Sequence, residues 1–296
     1  MIPKEIFQKV RKIQITTSRL VTDVFAGQYH SVFKGRGMEF DEVREYQRGD
    51  DIRTIDWNVT ARTGRVHVKK YVEERELTVM ILVDASSSCG FASRAQLKSR
   101  LAAEIAALLA FSAIRNHDRV GLMIFTDTIE KFIPPRKGVR NVLRVIREVL
   151  VFQPERKATD IRSALEYLSK VTTRRCVAFV ISDFLETAEA GSLKKALTLA
   201  NKRHDVIAVT LNDPREKLMP DCGLLSLEDA ETGEVFLVDS SDALVRGQYH
   251  QDALRRLEER SRLFRSAGLD TIDVSTETPY ADELVKFFLK RQKRRH

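Results

Sequence analysis

Cysteine is scarce in this chain of 296 residues: Cys89, Cys176 and Cys222 are the only three, and they lie far apart. An odd, scattered set builds neither a disulfide framework nor a zinc site, and it suits a reducing compartment. A long hydrophobic run is also missing. The longest apolar helical stretch, Leu101 to Ile114, is interrupted by Glu104 and falls short of the ~20 residues that span a bilayer. The polar start Met1-Ile2-Pro3-Lys4-Glu5 does not resemble a signal peptide. A cytoplasmic location without a membrane span is therefore expected. Several catalytic signatures are absent as well: there is no G-x-x-x-x-G-K-[ST] loop, no H-E-x-x-H and no G-x-S-x-G element. The six histidines fall in no catalytic spacing. Gly35-Arg36-Gly37 has the start of a phosphate loop, but Phe40 stands where the third glycine belongs. These absences remove the commonest hydrolase and nucleotide-binding classes.

What is present is positive charge, unevenly placed. The net charge is +8, and the last eleven residues carry Lys286, Lys290, Arg291, Lys293, Arg294 and Arg295 with no acid. Such a run can bind nucleic acid or anionic lipid. A solvated helix end, favourable at the negative pole of the helix dipole, is the preferred reading. Phe287 and Phe288 sit at one end of the run and make a poor stacking platform for single strands, so nucleic acid is disfavoured as a partner.

From Glu76 onward, apolar strands alternate with amphipathic helices, which predicts an α/β fold with a doubly wound, mostly parallel sheet. Strands are expected at 77–83, 119–126, 129–133, 176–182, 206–211 and 271–274. Only Asp127-Thr128 separates the second from the third, which predicts a hairpin and one antiparallel edge strand. Helices are expected at 95–115, 139–152, 160–171, 193–204, 252–267 and 281–294. Glu231-Thr232-Gly233-Glu234 reads as a turn between two short strands. Residues 1–75 break the alternation and are expected to form an N-terminal extension, with a helix over 6–25, before a larger domain at 76–296.

The most informative stretch is Asp84-Ala85-Ser86-Ser87-Ser88, which follows the apolar run from Leu77 to Val83. In open α/β sheets ligands bind beyond the carboxyl ends of strands. Asp84, Ser86 and Ser88 alternate, so an extended backbone points all three the same way. One carboxylate and two hydroxyls are hard oxygen donors suited to Mg²⁺ or Mn²⁺. A competing reading makes them helix caps. Two further places favour the ion: Thr159-Asp160 opens a helical pattern, and Ser182-Asp183 ends the apolar run from Cys176.

At these positions the chain resembles the von Willebrand factor A domain. Asp84-x-Ser86-x-Ser88, Thr159 and Asp183 match, in order, the five positions of that family's metal-ion-dependent adhesion site. The resemblance implies that Asp84, Ser86, Ser88 and Thr159 bind Mg²⁺ directly or through water, with Asp183 close by. It also implies an open coordination position that accepts a carboxylate from a partner protein.

A second resemblance lies upstream. Gly35-Arg36-Gly37-Met38-Glu39-Phe40, Arg44-Glu45-Tyr46, Gly49-Asp50-Asp51-Ile52-Arg53, Ile55-Asp56-Trp57 and Ala61-Arg62 resemble the signature of the bacterial family called domain of unknown function 58. That family places the signature just before an A-type domain. The resemblance implies a MoxR-type AAA+ ATPase as partner and an adaptor role in chaperone-like assembly or activation of other proteins. It implies no catalytic residue, so a non-enzymatic protein is expected. Read directly, Arg44, Arg53 and Arg62 alternate with Asp50, Asp51 and Asp56 around Trp57. Arginine forks pair with carboxylates and stack on indoles. Arg44, Asp50, Arg53, Asp56 and Trp57 thus form either a latch to the larger domain or a partner surface. An alternative function, a metal-dependent phosphoesterase with Asp84 as nucleophile, has Ser86 where a dehalogenase-type phosphatase needs a second aspartate.

Overall fold

The computed structural model describes residues 29, 39–72, 76–87, 98–185, 190–228 and 233–295. The chain divides into a smaller compact unit, Phe33–Leu77, and a larger one comprising Met1–Val32 and Thr78–His296. The expected helix over 6–25, the glycine-rich start of the signature, Ser88 and Cys89 lie outside the described residues. Of the first 32 residues Tyr29 alone is described. Its hydroxyl donates to Asp118 Oδ2 at 3.1 Å, and its ring meets Phe288 edge-on at 5.9 Å.

In the smaller unit, β1 (Glu39–Glu45) pairs antiparallel with β2 (His67–Val72). Between them Asp51 caps a short 3-10 turn, Ile52–Thr54, and α1 covers Trp57–Thr63. Asp56 caps α1 by accepting from the backbone N–H of Asn58 and Val59. Gly64 ends it at φ 70°, in the left-handed region that a side chain disfavours.

The larger unit runs β3 (Thr78–Asp84), α2 (Lys98–Arg115), β4 (Arg119–Phe125), β5 (Ile129–Arg136), α3 (Val139–Val151) and α4 (Ile161–Val171). It continues with β6 (Val177–Ser182), α5 (Ala190–Arg203), β7 (Asp205–Asn212), the hairpin β8 (Leu224–Glu228) and β9 (Val235–Asp239), α6 (Ala243–Ala267), β10 (Asp270–Ser275) and α7 (Tyr280–Arg295). Six strands form one sheet in the order β10-β7-β6-β3-β4-β5, parallel except for β5. The two-residue turn after β4 makes that exception, as its spacing predicts. Alternation along the strands splits the core. Met80 and Leu82 of β3, Met123 and Phe125 of β4, and Ala178 and Val180 of β6 pack with apolar residues of α4, α5 and α6. Helix α2, buried along most of its length, serves the rest of the core with α3.

Two expectations need correction. Helix α6 begins at Ala243, capped by Asp242, rather than at 252. Its first turns are largely exposed and carry Gly247, so no apolar period marks them. The basic C-terminal run is also not a purely solvated helix end. Arg291 is 8% exposed and pairs with Asp205 at 2.6 Å and Asp270 at 3.4 Å. Arg294 joins Asp270, and Lys286 joins Glu283. Arg291 and Arg294 thus tie α7 to the sheet, while Lys286 pairs within the helix.

Candidate functional site

Strand register builds the site. Val83 of β3 stands opposite Ile181 of β6 and Ile124 of β4, so Asp84 and Ser182 emerge together at the carboxyl edge. Ser182 Oγ donates to Asp84 Oδ2 at 2.6 Å, and the Ser86 backbone N–H donates to Oδ1 at 2.9 Å. Asp84 and Ser86 are both buried. The end of β4 draws in the remaining loops. The Phe125 carbonyl accepts from Ala85 N–H, and the next carbonyl, Thr126, accepts from Asp160 N–H, each at 2.9 Å. Ser87 crosses to the same loop, its N–H and hydroxyl both donating to the Lys157 carbonyl. Thr159 is half-buried in that loop, beside Asp160, which caps α4 through Ser163. A cavity of about 230 Å³ lies against Asp84 and Ser86 and is walled by Val83, Ile124, Val149 and Phe152.

The two aspartates are electrostatically unlike. Burial pushes the Asp84 carboxyl up to about 6; hydrogen bonds from Ser182 and Ser86 oppose the rise, and the charge of Asp183 adds to it. No lysine or arginine pairs with Asp84 among the described residues. Asp183, by contrast, is met by the ammonium of Lys98 at 3.0 Å, and the same ammonium hydrogen-bonds Glu216. The Lys98 side chain is wholly buried. Burial alone would lower its pKa, yet the two carboxylates outweigh that and hold it above the usual lysine value.

Local backbone geometry is fixed around Asp183. Phe184 takes φ 54°, unfavourable for an aromatic residue. Three bonds and a ring contact hold it there. Its N–H donates to Ser182 Oγ, Leu185 N–H donates to Asp183 Oδ1, and Arg260 donates to the Asp183 carbonyl at 2.6 Å. The Phe184 ring packs edge-on against Phe264 at 4.9 Å. Such over-determined strain is common at functional edges.

Of the five expected metal positions, Asp84, Ser86 and Asp183 share this edge, Thr159 sits on the adjoining loop, and Ser88 lies outside the described residues. A hard divalent cation fits the chemistry of Asp84, a buried carboxylate without a cationic partner among the described residues, flanked by hydroxyls. No three acidic, histidine or cysteine side chains gather as a metal cluster among the described residues, so the hydroxyls would have to supply the remaining donors. Lys98, Glu216, Ser182 and Arg260 were not singled out as site residues from the sequence. A lysine at a helix start reads as solvent-facing, and only the β3–β6 register reveals that Ser182 meets Asp84.

In the smaller unit the expected charge network resolves into separate parts. Arg44 grips Asp50 with its two terminal guanidinium nitrogens, at 2.7 and 2.8 Å. Asp51 and Asp56 are caps, and Asp56 also meets Lys69 at 3.4 Å. Arg53 and Arg62 are exposed, and Trp57 is 67% exposed.

Comparison with known proteins agrees with this architecture. Residues 42–259 match the family described as Protein of unknown function DUF58. The chain belongs to that family. An uncharacterized protein of Mycobacterium tuberculosis, Rv1480, is 30% identical over 286 residues, covering 96% of this chain and 89% of its own length. YeaD of Bacillus subtilis, also uncharacterized, is 23% identical over 60% of this chain and 44% of its own. Among solved structures, an aerotolerance-related membrane protein from Bacteroides fragilis superposes with TM-score 0.51 at 15% identity, covering 74% of this chain and 99% of that one. A von Willebrand factor type A protein from Catenulispora acidiphila gives TM-score 0.43 at 10% identity over 77% of this chain and 44% of that one. The DUF58 chain thus shares an α/β fold with the Bacteroides fragilis protein, built on its mostly parallel six-stranded sheet. No helix among its described residues is long and apolar enough to cross a membrane.

Proposed function

We propose that this DUF58 protein is a Mg²⁺-dependent protein-interaction adaptor that catalyses no reaction of its own. Asp84, Ser86, Ser88 and Thr159 would hold the ion, with Asp183 nearby, and Mn²⁺ could replace it. The ion would supply an electrophilic point for a partner's carboxylate. A MoxR-type AAA+ ATPase is the partner the family resemblance implies, and chaperone-like assembly or activation of other proteins is the corresponding role. One observation supports this reading above the rest: a carboxylate buried at the sheet's ligand edge with no cationic partner among the described residues. Trp57 and Arg53, both exposed on the smaller unit, offer further contact residues, since tryptophan and arginine are frequent binding anchors.

Calorimetric titration of Mg²⁺ and Mn²⁺ into the wild type and Asp84→Ala tests the site. Binding that disappears in Asp84→Ala while circular dichroism stays native is the expected result. Capture of the candidate ATPase should then require Mg²⁺ and fail in EDTA. Equal capture with and without EDTA would overturn the proposal.

A further inference from the structure

A second cavity, sharing Arg260 with the Asp84–Asp183 edge, lies where α6 and α7 converge on the edge strand β10. Helix α6 turns Leu257, Arg260, Phe264 and Arg265 towards it, and α7 turns Phe287, Lys290, Arg291 and Arg294. These spacings of three, four and seven put each set on one helix face. Together they enclose a cavity of about 580 Å³, within the size range of small-molecule sites. Phe264, Leu269 and Phe287 give it a buried apolar floor.

The lining is strongly cationic, with six basic side chains against two acidic ones, Asp270 and Asp273. Both acids are already engaged. Asp270 receives Arg291 and Arg294, and Asp273 accepts from Thr210 Oγ1 at 2.5 Å. The four other cations, Lys217, Arg260, Arg265 and Lys290, have no carboxylate partner among the described residues. Arg260 reaches only neutral acceptors, the Asp183 carbonyl and Asn212 Oδ1, both at 2.6 Å. Burial lowers its pKa, with the carboxylates of Asp273, Asp183 and Glu216 opposing.

We propose that this cavity binds a small ligand bearing a diphosphate or longer phosphate chain. Several cations without a direct carboxylate partner among the described residues converge on a space too small for a folded macromolecule. They call for a compact anion of several charges. Guanidinium forks match phosphate oxygens two at a time, while Lys217 and Lys290 add movable point charges. The apolar floor would take the ligand's uncharged portion. None of this depends on the ion proposed at Asp84, so the two readings can fail separately.

The test is calorimetric titration of inorganic pyrophosphate, in EDTA, into the full chain. Citrate serves as a carboxylate comparison. The probe should bind the wild type, and Arg265→Glu/Lys290→Glu should weaken it about tenfold or more, because both exposed cations would become repulsive. Lys170→Glu/Lys195→Glu makes the same charge change at a different cavity and should alter affinity by less than about twofold. Melting curves confirm that both variants fold. Absence of pyrophosphate binding, equal losses in the two double variants, or citrate binding as tightly as pyrophosphate would each overturn the proposal.

Discussion

Replacing Lys98 by methionine would remove the ammonium that Asp183 and Glu216 share while keeping most of the side chain's volume. The Asp183 side chain is 3% exposed and would be left as a buried, unpaired anion. Breaking a buried ion pair from one side costs about 3–5 kcal/mol. Glu216 softens the loss, because its side chain is 25% exposed and its other oxygen still accepts from Asp213 N–H at 3.0 Å. We therefore expect a loss near ~3 kcal/mol, a large share of the ~5–15 kcal/mol that stabilises a typical domain. Urea unfolding followed by circular dichroism measures it. A variant within about 0.5 kcal/mol of wild type would mean that the ammonium contributes little beyond its own desolvation. Mg²⁺ provides a second reading. If Lys98 holds Asp183 away from a cation, Mg²⁺ should stabilise Lys98→Met more than wild type, since a ligand stabilises by its preference for the folded state. Equal stabilisation of both proteins would refute that competition.

Asp84→Asn should change the pH dependence of stability in a defined direction. With its pKa pushed from 3.8 to about 6, folded Asp84 keeps a proton that the unfolded chain has released. The resulting stabilisation is complete below the unfolded value and is lost as pH rises through 6, a total of about 3 kcal/mol. In EDTA the wild type should lose that stability between pH 4 and pH 8 relative to Asp84→Asn, and parallel curves would contradict the assignment. Gly121→Ala should destabilise by about 1–3 kcal/mol in thermal unfolding, because the new Cβ would lie 2.6 Å from Met80 Sδ and 3.0 Å from the Ile133 carbonyl oxygen. Burial pushes the Cys176 thiol up to about 12, whereas Cys222 is exposed. Iodoacetamide at pH 8 should therefore label Cys222 and spare Cys176 in peptide mass spectrometry, and comparable labelling of both would be inconsistent with this packing.

Most of the larger unit can be read from residues because its strands are continuous apolar runs ending in polar edges. Each of the six sheet strands lies within a few residues of its expected bounds, and the Asp127-Thr128 turn correctly signals the antiparallel edge. Legibility fails where the determining contact is distant in sequence. Lys98 and Asp183 are separated by 85 positions, and nothing around Lys98 marks it as buried. Arg291 reads as one more cation in a basic run until β7 and β10 bring Asp205 and Asp270 beneath it. The smaller unit is opaque for another reason. Strand β1, Glu-Phe-Asp-Glu-Val-Arg-Glu, carries four acids in seven residues and has its partner beyond an intervening helix, so composition argues against the strand that pairing creates.

The unequal treatment of the two aspartates gives the proposed adhesive chemistry a charge balance. Lys98, shared with Glu216, offsets part of the Asp183 charge from within the protein, and Arg260 fixes the carbonyl of the same residue. Among the described residues Asp84 receives hydrogen bonds from Ser182 and Ser86 and no cation. Among its direct ligands, a divalent ion beside Asp84 would meet one carboxylate and otherwise neutral hydroxyls, leaving about one positive charge unmatched by those ligands. A single carboxylate from a partner would complete that balance. If Asp183 were also available to the ion, the site would already be neutral and a partner's acid would gain less from approaching. At the proposed site Lys98 would keep Asp183 from the ion and leave that position to a partner's acid. Calorimetry should therefore show Lys98→Met binding Mg²⁺ more tightly and an acidic partner less tightly, and unchanged affinities would refute this role.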